Sequence, residues 1–530
     1  MAITSGFGLS CRPNLHFCHC FRKVRFGSVA AVIDEPDSFF KGYSNRSSES
    51  VSSYNDDGVD DGYKRPVWKR FTSKELGINN KLIPRPTRVV LEGLKRKGFK
   101  VYLVGGCVRD LILKQKPKDF DVLTSAELKE VVSTFSQQCQ TVGRRFPICH
   151  VTVDGTVVEV SSFSTSVRSV RSGRAVKFDM ERPVGCEKED YMRWRNCLER
   201  DFTINGLMLD PYAKIVYDYL GGVEDIRKAK VQTVKPSNIS LSEDSARILR
   251  GIRIASRLRF GFTRETARDV IKLSYSVLRL DKGRLLMEMN YMLAYGSAES
   301  SLRLLWKYGL LDILLPFQAA YFVRSGFRRR DKRSNMLLYL FSHMDKFLAP
   351  DMPCHSSLWV AILAFHKALS DEPRDPVVVA AYSLAVYNGG DMSEALKIAR
   401  IISRPYDADL NELLEPCTLD YEELKEEVLH FDMAVRRALS HMTDEYHVAK
   451  AMSAFPKAPK SDLVLIPLQL YLRVCKIFEC VKEGKQKDFV AKQGSKIDNE
   501  LLTLGSLEEV RHVFARVVFD TVYPVSMSLE

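Results

Sequence analysis

The amino-acid sequence predicts an α/β domain with a mixed sheet, followed by an all-α region. Short apolar runs typical of strands alternate with helical patterns as far as Ser162. From Ser242 onward, apolar residues recur mainly at helical spacing, with short connections between segments. The expected domains are a head at 69–230, a helical neck at 231–334, and a helical body with a tail at 335–530.

The boundaries of individual elements follow from the same periodicity. An amphipathic helix is expected from Thr87 to Lys97, and another from Ser125 to Gln137 with Ser125 as its N-cap. Two strands at 149–153 and 156–162 are expected to form a hairpin through the turn Asp154-Gly155. In the helical region we expect helices at 302–315, 335–348, 357–369, 376–386, 392–402, 422–439, 463–481 and 507–518.

The first 68 residues differ in composition from the rest of the chain. Arginine and serine occur without any acidic residue before Asp34, which favours an organellar transit peptide at 1–33. An ordinary disordered N-terminus is the alternative. Residues 34–68 are rich in Ser, Asp and Gly and are expected to form a disordered linker. The expected location is therefore the chloroplast or the mitochondrion.

Charge and cysteine usage narrow the class of partner. The 530 residues carry a formal net charge of +13, which favours a polyanionic partner such as nucleic acid. A basic organellar protein without such a partner is the alternative. Cys18-His19-Cys20 is the only close cysteine cluster, and we assign it to the leader rather than to a metal site. No apolar run approaches the roughly 18 residues that span a bilayer, so no membrane partner is expected.

The stretch from Tyr102 to Thr124 (YLVGGCVRDLILKQKPKDFDVLT) carries the strongest chemical signal. An apolar strand precedes Gly105 and Gly106, a helix follows, and a second strand is predicted to carry Asp119 and Asp121 on one face. Two carboxylates on one face repel each other unless a cation lies between them. A pair of Mg²⁺ ions about 4 Å apart would neutralise them and suits displacement at phosphorus.

Other residues extend this predicted site. Glu159, an acid within the apolar run VVEVSSF, is the candidate for a third carboxylate on an adjacent strand. Gly105 and Gly106 let the backbone approach a phosphate closely, and the helix that follows directs N–H groups towards it. Arg109 is placed either to reach a triphosphate or to pair with Asp110, and the sequence leaves both roles open.

A separate polar cluster opens the helical region. Glu243, Asp244, Arg247 and Arg250 are expected on the first turns of one long helix. Asp244 and Arg247 are three positions apart and would share a face, where acceptors and a donor fork can read the polar edge of a base. Spacing alone favours the alternative, which is a surface salt bridge between the two.

These motifs together resemble those of the class II nucleotidyltransferases of the polymerase β superfamily. That family comprises CCA-adding enzymes and bacterial-type poly(A) polymerases. The matching motifs are LVGGCVRDLIL (103–113), PKDFDV (117–122), VEVSSF (158–163), RDFTING (200–206), LGGVED (220–225) and EDSARILRGIRIASRLRF (243–260). The resemblance extends from about Leu76 to Leu315 and more weakly to about Leu369.

The resemblance implies a polymerase β-like head with two Mg²⁺ ions, ATP as the nucleotide, and RNA 3′ ends as acceptors. The resemblance implies that Asp119 and Asp121 bind the metal ions and that Glu159 is the third acid. It implies triphosphate binding for Gly105, Gly106 and Arg109, and ribose contact with ordering of the site for Asp201 and Asn205. Nucleotide binding with base selection is implied for Asp244, Arg247 and Arg250. A basic run is expected to hold the RNA backbone without reading its sequence, with a solvated loop as the alternative. Its members are Arg328, Arg329, Arg330, Lys332 and Arg333.

Within the family, the motif VGRRFPICHV (142–151) and the segment SNMLLYL (334–340) favour poly(A) polymerase over a CCA-adding enzyme. Pro147 and Glu199 depart from the family pattern, and the tail beyond about 370 matches no motif that we can assign. The expected function is therefore template-independent addition of AMP to RNA 3′ ends. The alternatives are tRNA CCA addition and an RNA-binding protein without catalytic activity. The sequence makes no prediction of the oligomeric state.

Overall fold

An eight-stranded mixed sheet forms the head. The computed structural model describes residues 68–143, 147–164, 186–455, 465–487 and 489–524. The strands are β1 (Lys69–Thr72), β2 (Val101–Val104), β3 (Asp121–Thr124), β4 (Cys139–Val142), β5 (Ile148–Val153), β6 (Thr156–Ser162), β7 (Leu207–Asp210) and β8 (Ile215–Asp218). Their order across the sheet is β1-β8-β7-β2-β3-β6-β5-β4, and most pairs are antiparallel.

The centre of the sheet brings together the ends of strands that carry the polar motifs. All four residues of β2 are buried, as expected for a strand covered on both faces. β2 pairs antiparallel with β3 so that Val104 lies opposite Asp121. β3 and β6 run parallel, with Val122 opposite Val160. This register places the start of β3 beside the end of β2, where the chain turns into the next helix.

Among the described residues of the head, the α-helices are α1 (Arg85–Arg96), α2 (Gly106–Ile112), α3 (Leu128–Phe135), α4 (Lys188–Leu198) and α5 (Gly222–Arg227). α1 buries Val90, Leu91 and Leu94 at helical spacing and packs on β5 and β6. α3 starts later than predicted because Glu127 and Glu130 form a capping box, whereas the Ser125 hydroxyl accepts a hydrogen bond from the Lys100 amide at 2.9 Å.

The remainder of the described chain is helical, apart from the short parallel pair β9 (Lys230–Val231) and β10 (Gly261–Phe262). The helices are α6 (Ser237–Glu243), α7 (Ala246–Leu258), α8 (Arg264–Lys272), α9 (Lys282–Leu293), α10 (Ala298–Lys307), α11 (Leu311–Leu314), α12 (Pro316–Arg324), α13 (Met336–Asp345), α14 (Ser356–Asp371), α15 (Pro376–Tyr387), α16 (Met392–Arg400), α17 (Tyr421–Thr443), α18 (Glu445–Ser453), α19 (Leu468–Glu483), α20 (Asn499–Leu504) and α21 (Leu507–Val522). The predicted α/β head followed by an all-α region is thereby confirmed. Within the described residues, no helix is both long enough and apolar enough to cross a bilayer.

One predicted helix of the neck is divided in the structure. Residues 302–315 were expected to form a continuous helix, but α10 ends at Lys307 and α11 begins at Leu311. Gly309 lies between them with a φ of +71°, a left-handed conformation that glycine adopts without strain. The apolar residues keep helical spacing across the break between α10 and α11, and Gly309 was the only feature of the sequence that indicated the break.

The tail completes the core of the body. α14 and α15 are buried along almost their whole length, so both need cover on every side. α17, α19 and α21 supply that cover. Aromatic contacts join these helices: the ring centroid of Phe365 lies 5.6 Å from that of Phe431 and 5.4 Å from that of Phe514. The segment that matched no motif thus has a clear structural role.

A buried ion pair ties α4 to the sheet of the head. Arg193 donates hydrogen bonds to Asp190 Oδ1 at 2.7 Å, to the Tyr219 hydroxyl at 2.7 Å and to the Tyr102 hydroxyl at 2.9 Å. Arg70 on β1 donates to the other oxygen of Asp190. Burial opposes ionisation of Asp190, but the hydrogen bonds from Tyr219 and Arg193 lower its pKa. The ionised carboxylate is therefore the form that the fold stabilises.

We predict that Asp190→Asn lowers the free energy of unfolding by about 3 kcal/mol, because the buried Arg193 loses the carboxylate to which it is hydrogen-bonded and keeps only the exposed carboxylate of Glu189 at 3.5 Å. Denaturant unfolding measures this loss. The difference from wild type should be full above about pH 4 and should disappear as the pH falls through the lowered pKa of Asp190, since protonation removes the same charge. The neighbouring exposed acid is the control: Glu189→Gln should cost less than about 1 kcal/mol. Equal losses for both variants would contradict the assignment.

Candidate active site

The glycine turn after β2 is the centre of the site. Gly105 precedes α2 with φ +78° and ψ −139°, a backbone conformation that residues other than glycine rarely adopt. A Cβ built on Gly105 would lie 3.3 Å from Arg200 Nη1 and 3.6 Å from Asp121 Oδ2. The backbone of the turn, a carboxylate and a guanidinium therefore meet at one point, and the absent side chain keeps that point open.

The three predicted carboxylates lie on or beside adjacent strands. Asp121 is the first residue of β3 and Glu159 lies on β6, in the position before the Val122–Val160 pair. The prediction that Asp119 belongs to the same strand is wrong, because β3 begins at Asp121 and Asp119 lies exposed in the preceding loop. The two acids of the D-x-D motif therefore lie in a loop and at a strand end, and not on one face of a strand.

Asp121 experiences the charges of both other acids. Burial raises the pKa of the Asp121 carboxyl to about 6, and the negative charges of Glu159 and Asp119 also raise it, while Arg200 acts in the opposite direction. A carboxylate in this environment is stabilised by a cation. The charge distribution therefore favours metal binding at Asp121.

The acids do not form a complete metal cage by themselves. The Glu159 side chain is 54% exposed, and its Oε1 lies 3.8 Å from His150 Nε2. Across the described residues, no group of three His, Cys, Asp or Glu side chains is arranged to hold a metal ion. Mg²⁺ commonly takes one or two carboxylates together with water and substrate phosphates, so Asp119 and Asp121 fit such an ion. A direct ligand role for Glu159 stays a prediction.

A chain of hydrogen bonds connects the glycine turn to the neck. Arg109 donates to Asp110 Oδ1 at 2.9 and 2.7 Å and to Asn205 Oδ1 at 2.7 Å. Asn205 Nδ2 donates to Asp201 Oδ1 at 3.0 Å, and Asp201 Oδ2 accepts from Arg250 Nη1 at 3.1 Å. We call these five residues the relay. It spans α2, the RDFTING segment and α7.

Of the two roles that the sequence left open for Arg109, the described contacts show the pairing with Asp110. Its side chain is only 7% exposed, and its donors are directed to Asp110 and Asn205. Burial opposes ionisation of Asp201, but Arg250, Asn205 and the Phe202 amide overcome that effect and lower its pKa. Asp201 and Asn205 therefore link α2 to α7 through charge and hydrogen bonding. Contact of either residue, or of Arg109, with a nucleotide stays a prediction.

Asp244 and Arg247 do not lie together on one helix as predicted. α7 begins at Ala246, and Asp244 is an extended residue between α6 and α7 whose Oδ1 accepts a hydrogen bond from the Ala246 amide at 3.0 Å. Arg247 donates to Ser240 Oγ at 2.8 Å and lies 3.7 Å from Glu243 Oε2. The alternative salt bridge between Asp244 and Arg247 is absent from the described contacts. Their role in base selection stays a prediction.

Two arginines of the site were missed in the sequence. Arg200 lies against the glycine turn and lowers the pKa of Asp121, yet we assigned no role to it within RDFTING. Arg257 Nη2 on α7 lies 3.8 Å from Asp110 Oδ2. The signal for Arg257 was its position seven residues after Arg250, which puts both on the same face of α7.

The predicted basic run lies in the loop between α12 and α13, and its members differ in role. Arg329 stacks on Trp306 at 3.7 Å and donates to Asp312 at 2.8 Å, and Arg333 donates to Asp331 at 2.9 Å, so both support the fold. All five members are nevertheless exposed, including Arg328, Arg330 and Lys332. Burial, followed by the charges of Arg330 and Lys230, lowers the pKa of Lys307. Lys230 and Lys307 therefore add positive charge beside Arg330.

Comparison with known proteins finds two family segments in the chain, and part of the site lies within the first. Residues 101–232 match the family described as "Poly A polymerase head domain", and residues 259–322 match "Probable RNA and SrmB- binding site of polymerase A". The glycine turn, the three carboxylates, Asp201 and Asn205 lie in the first segment. Asp244, Arg247 and Arg250 lie between the two segments, and the basic run follows the second.

Curated relatives include both branches of that family. Poly(A) polymerase I of Haemophilus influenzae is 33% identical over 233 residues, which cover 44% of this chain and 52% of the relative. Poly(A) polymerase I of Escherichia coli O6:H1 is 32% identical over 273 residues, 49% of this chain and 56% of the relative. The CCA-adding enzyme of Geobacillus thermodenitrificans is 33% identical over 227 residues, which cover 42% of this chain and 53% of the relative. The chain thus spans about half the length of the curated relatives it matches.

Solved structures give weaker likenesses. The crystal structure of the Bacillus stearothermophilus CCA-adding enzyme in complex with CTP is 22% identical, with a TM-score of 0.41, and the match covers 75% of this chain and 83% of that one. The Thermotoga maritima CCA-adding enzyme complexed with tRNA is 14% identical, with a TM-score of 0.40, and the match covers 87% of this chain and 97% of that one.

We predict that Gly105→Ala weakens binding of a fluorescent ATP analogue by about tenfold or more, because the strained turn must move away from Asp121 and Arg200. Gly98 provides a matched control, since it also has a positive φ (+87°) but a methyl group added there would meet no atom within 4 Å. Gly98→Ala should cost about 1 kcal/mol of stability and leave ATP-analogue binding unchanged. Equal nucleotide affinity in the two variants would contradict the assignment of the turn.

Proposed function

We propose that this chain is a template-independent nucleotidyltransferase that adds AMP from ATP to RNA 3′ ends. Residues 101–232 match the poly(A) polymerase head domain and residues 259–322 its RNA-binding segment, and the chain is homologous to bacterial poly(A) polymerase I and to CCA-adding enzymes, which supports the proposal. The observation that carries the proposal is the convergence of the glycine turn, Arg200 and Asp121 at one point. The turn offers backbone donors to phosphate, and the acids beside it suit a divalent cation.

In the proposed reaction, the RNA 3′-oxygen bonds to the α-phosphorus of ATP and the bond to pyrophosphate breaks. Two Mg²⁺ ions held by Asp119 and Asp121 would neutralise charge at the reacting phosphate and the leaving group. Arg200, beside the turn, is positioned to meet the triphosphate. Glu159 adds negative charge that strengthens cation binding at Asp121. The relay holds the turn and α7 in a fixed relation while the substrates bind.

The product is proposed to be poly(A) rather than CCA. The segments matched to poly(A) polymerase I extend over up to 273 residues, against 227 for the CCA-adding enzyme of Geobacillus thermodenitrificans. The motif at 142–151 also supports poly(A). Its first residue, Val142, ends β4 and its last four residues lie on β5, whereas residues 144–146 lie outside the described chain. Asp244 and Arg247 are proposed to select the adenine base.

CCA addition to tRNA is the second candidate. It is supported by CCA-adding enzymes that are 31–33% identical over 223–227 residues of this chain. Delivery to the chloroplast or mitochondrion is part of our proposal and rests on the composition of residues 1–33, which lie outside the described chain together with most of the linker at 34–68.

The proposed activity is tested with the purified full-length chain, Mg²⁺, and separately labelled ATP and CTP. The acceptors are an unstructured RNA and a tRNA lacking its CCA end. We expect long A tails on the unstructured RNA. Ordered addition of C, C and A to the tRNA would instead establish the second candidate. Without incorporation on any acceptor, both activities would be excluded and an RNA-binding role would remain.

The same assay assigns the activity to the site. Asp119→Ala combined with Asp121→Ala should reduce AMP incorporation at least about a thousandfold, because no carboxylate pair remains to hold the cation. RNA binding, measured by fluorescence anisotropy, should be retained. Glu426→Ala removes an exposed acid on α17 and should leave incorporation unchanged. Full incorporation by the doubly substituted chain would show that the metal assignment is wrong.

A further inference from the structure

A cavity of about 410 Å³ lies beside the carboxylates, between head, neck and body. Its walls include Lys116 and Lys118 from the loop before β3, Arg257 from α7, and Tyr295 from the chain after α9. Lys118 immediately precedes Asp119, so the cavity borders the proposed catalytic site. Asp351 of the body closes one side through an exposed ion pair with Lys116 at 3.2 Å.

Tyr295 and Lys118 in the wall of this cavity belong to a cluster of aromatic rings and cations that continues to Tyr291 and Arg253 behind the wall. The ring centroids of Tyr291 and Tyr295 lie 5.3 Å apart. Lys118 Nζ lies 5.8 and 5.2 Å from these two centroids, and the guanidinium carbon of Arg253 lies 4.9 Å from that of Tyr291. Arg253 also contacts the buried acid Glu288 at 3.6 Å. Half-buried rings flanked by cations form a surface that suits a nucleobase and its phosphate.

The position along α7 indicates which nucleotide the cavity takes. Arg247 and Arg257 are ten residues apart in one helix, which corresponds to about 15 Å along its axis. The proposed base-selecting pair lies at the N-terminal end of α7, whereas the cavity lies at the C-terminal end, where Arg257 contacts Asp110. The cavity and the proposed base-selecting pair therefore lie at opposite ends of α7, so the contents of the cavity and the incoming nucleotide are two different groups.

We propose that Tyr291 and Tyr295, flanked by Lys118, Arg253 and Arg257, bind the 3′-terminal nucleotides of the acceptor RNA. The rings stack on the bases, and the cations neutralise the phosphates. Stacking is tolerant of base identity, because every base presents a π-face, so the site accepts RNA ends of varied sequence. The inference rests on the proposed function, since it names the acceptor side of the same active site.

The test uses the full-length chain and an RNA with 2-aminopurine at its 3′ end, without ATP. Stacking on the tyrosines should quench the 2-aminopurine fluorescence. Tyr291→Leu and Tyr295→Leu should abolish the quenching and weaken RNA binding at least about tenfold. Tyr291→Phe and Tyr295→Phe keep the rings and should behave like wild type. Tyr275→Leu, which removes an exposed tyrosine elsewhere in the neck, should also have no effect.

A variant at Lys118 tests the same site without disturbing the packing of the fold. Lys118 is exposed, so Lys118→Gln should fold normally, weaken RNA binding and reduce its dependence on salt. In the incorporation assay, the leucine variants should raise the KM for RNA and leave the KM for ATP unchanged. Unchanged RNA binding in the leucine variants would overturn the inference. A raised KM for ATP with an unchanged KM for RNA would also overturn it, because the cavity would then hold the incoming nucleotide.

Failure of the inference can be separated from failure of the proposed function. If wild type incorporates no nucleotide, the proposed function fails, and the fluorescence titration still reports whether the tyrosines hold an RNA end. If wild type incorporates AMP but the quenching persists in both leucine variants, the function stands and the acceptor site lies elsewhere.

Discussion

The relay of hydrogen bonds from Asp110 through Arg109, Asn205 and Asp201 to Arg250 is the interaction on which the site depends. Its members come from three distant parts of the chain, so none of the helices it joins is positioned by local sequence. Removing one partner of a buried ion pair leaves an uncompensated charge, at a cost of about 3–5 kcal/mol. The relay therefore fixes the glycine turn and α7 relative to each other, and it fixes the spacing between the two proposed substrate positions.

The electrostatics of the site are unfavourable without a ligand. Asp121 is buried beside two other acids and carries a pKa raised to about 6, with Arg200 as the opposing charge. Such an arrangement costs stability and is expected where charge is held ready for a cation and phosphates. Apolar burial elsewhere in the chain offsets this loss of stability, since the sheet buries β2 completely and the tail helices complete the core of the body.

Much of the architecture follows from local patterns, and the rest depends on contacts between distant residues. Periodicity predicted the α/β head, the helical region and the candidate carboxylates. It misplaced Asp119 on a strand and Asp244 on a helix, because an acid beside a strand end or a helix start keeps the same spacing as one inside it. It also gave Arg109 and Arg200 no settled role, since both roles depend on partners about a hundred residues away or across the turn. Burial of charge is decided by tertiary packing, which spacing does not report.

The measurement that tests this account most directly is a double-mutant cycle on kcat/KM for ATP in AMP incorporation, using Arg109→Met and Arg250→Met. The two arginines are joined only through Asn205 and Asp201 in the described contacts, so independent roles would give additive losses. If the relay holds the turn and α7 as one unit, the losses should deviate from additivity by at least about 1 kcal/mol. Additivity within about 0.5 kcal/mol would contradict the account.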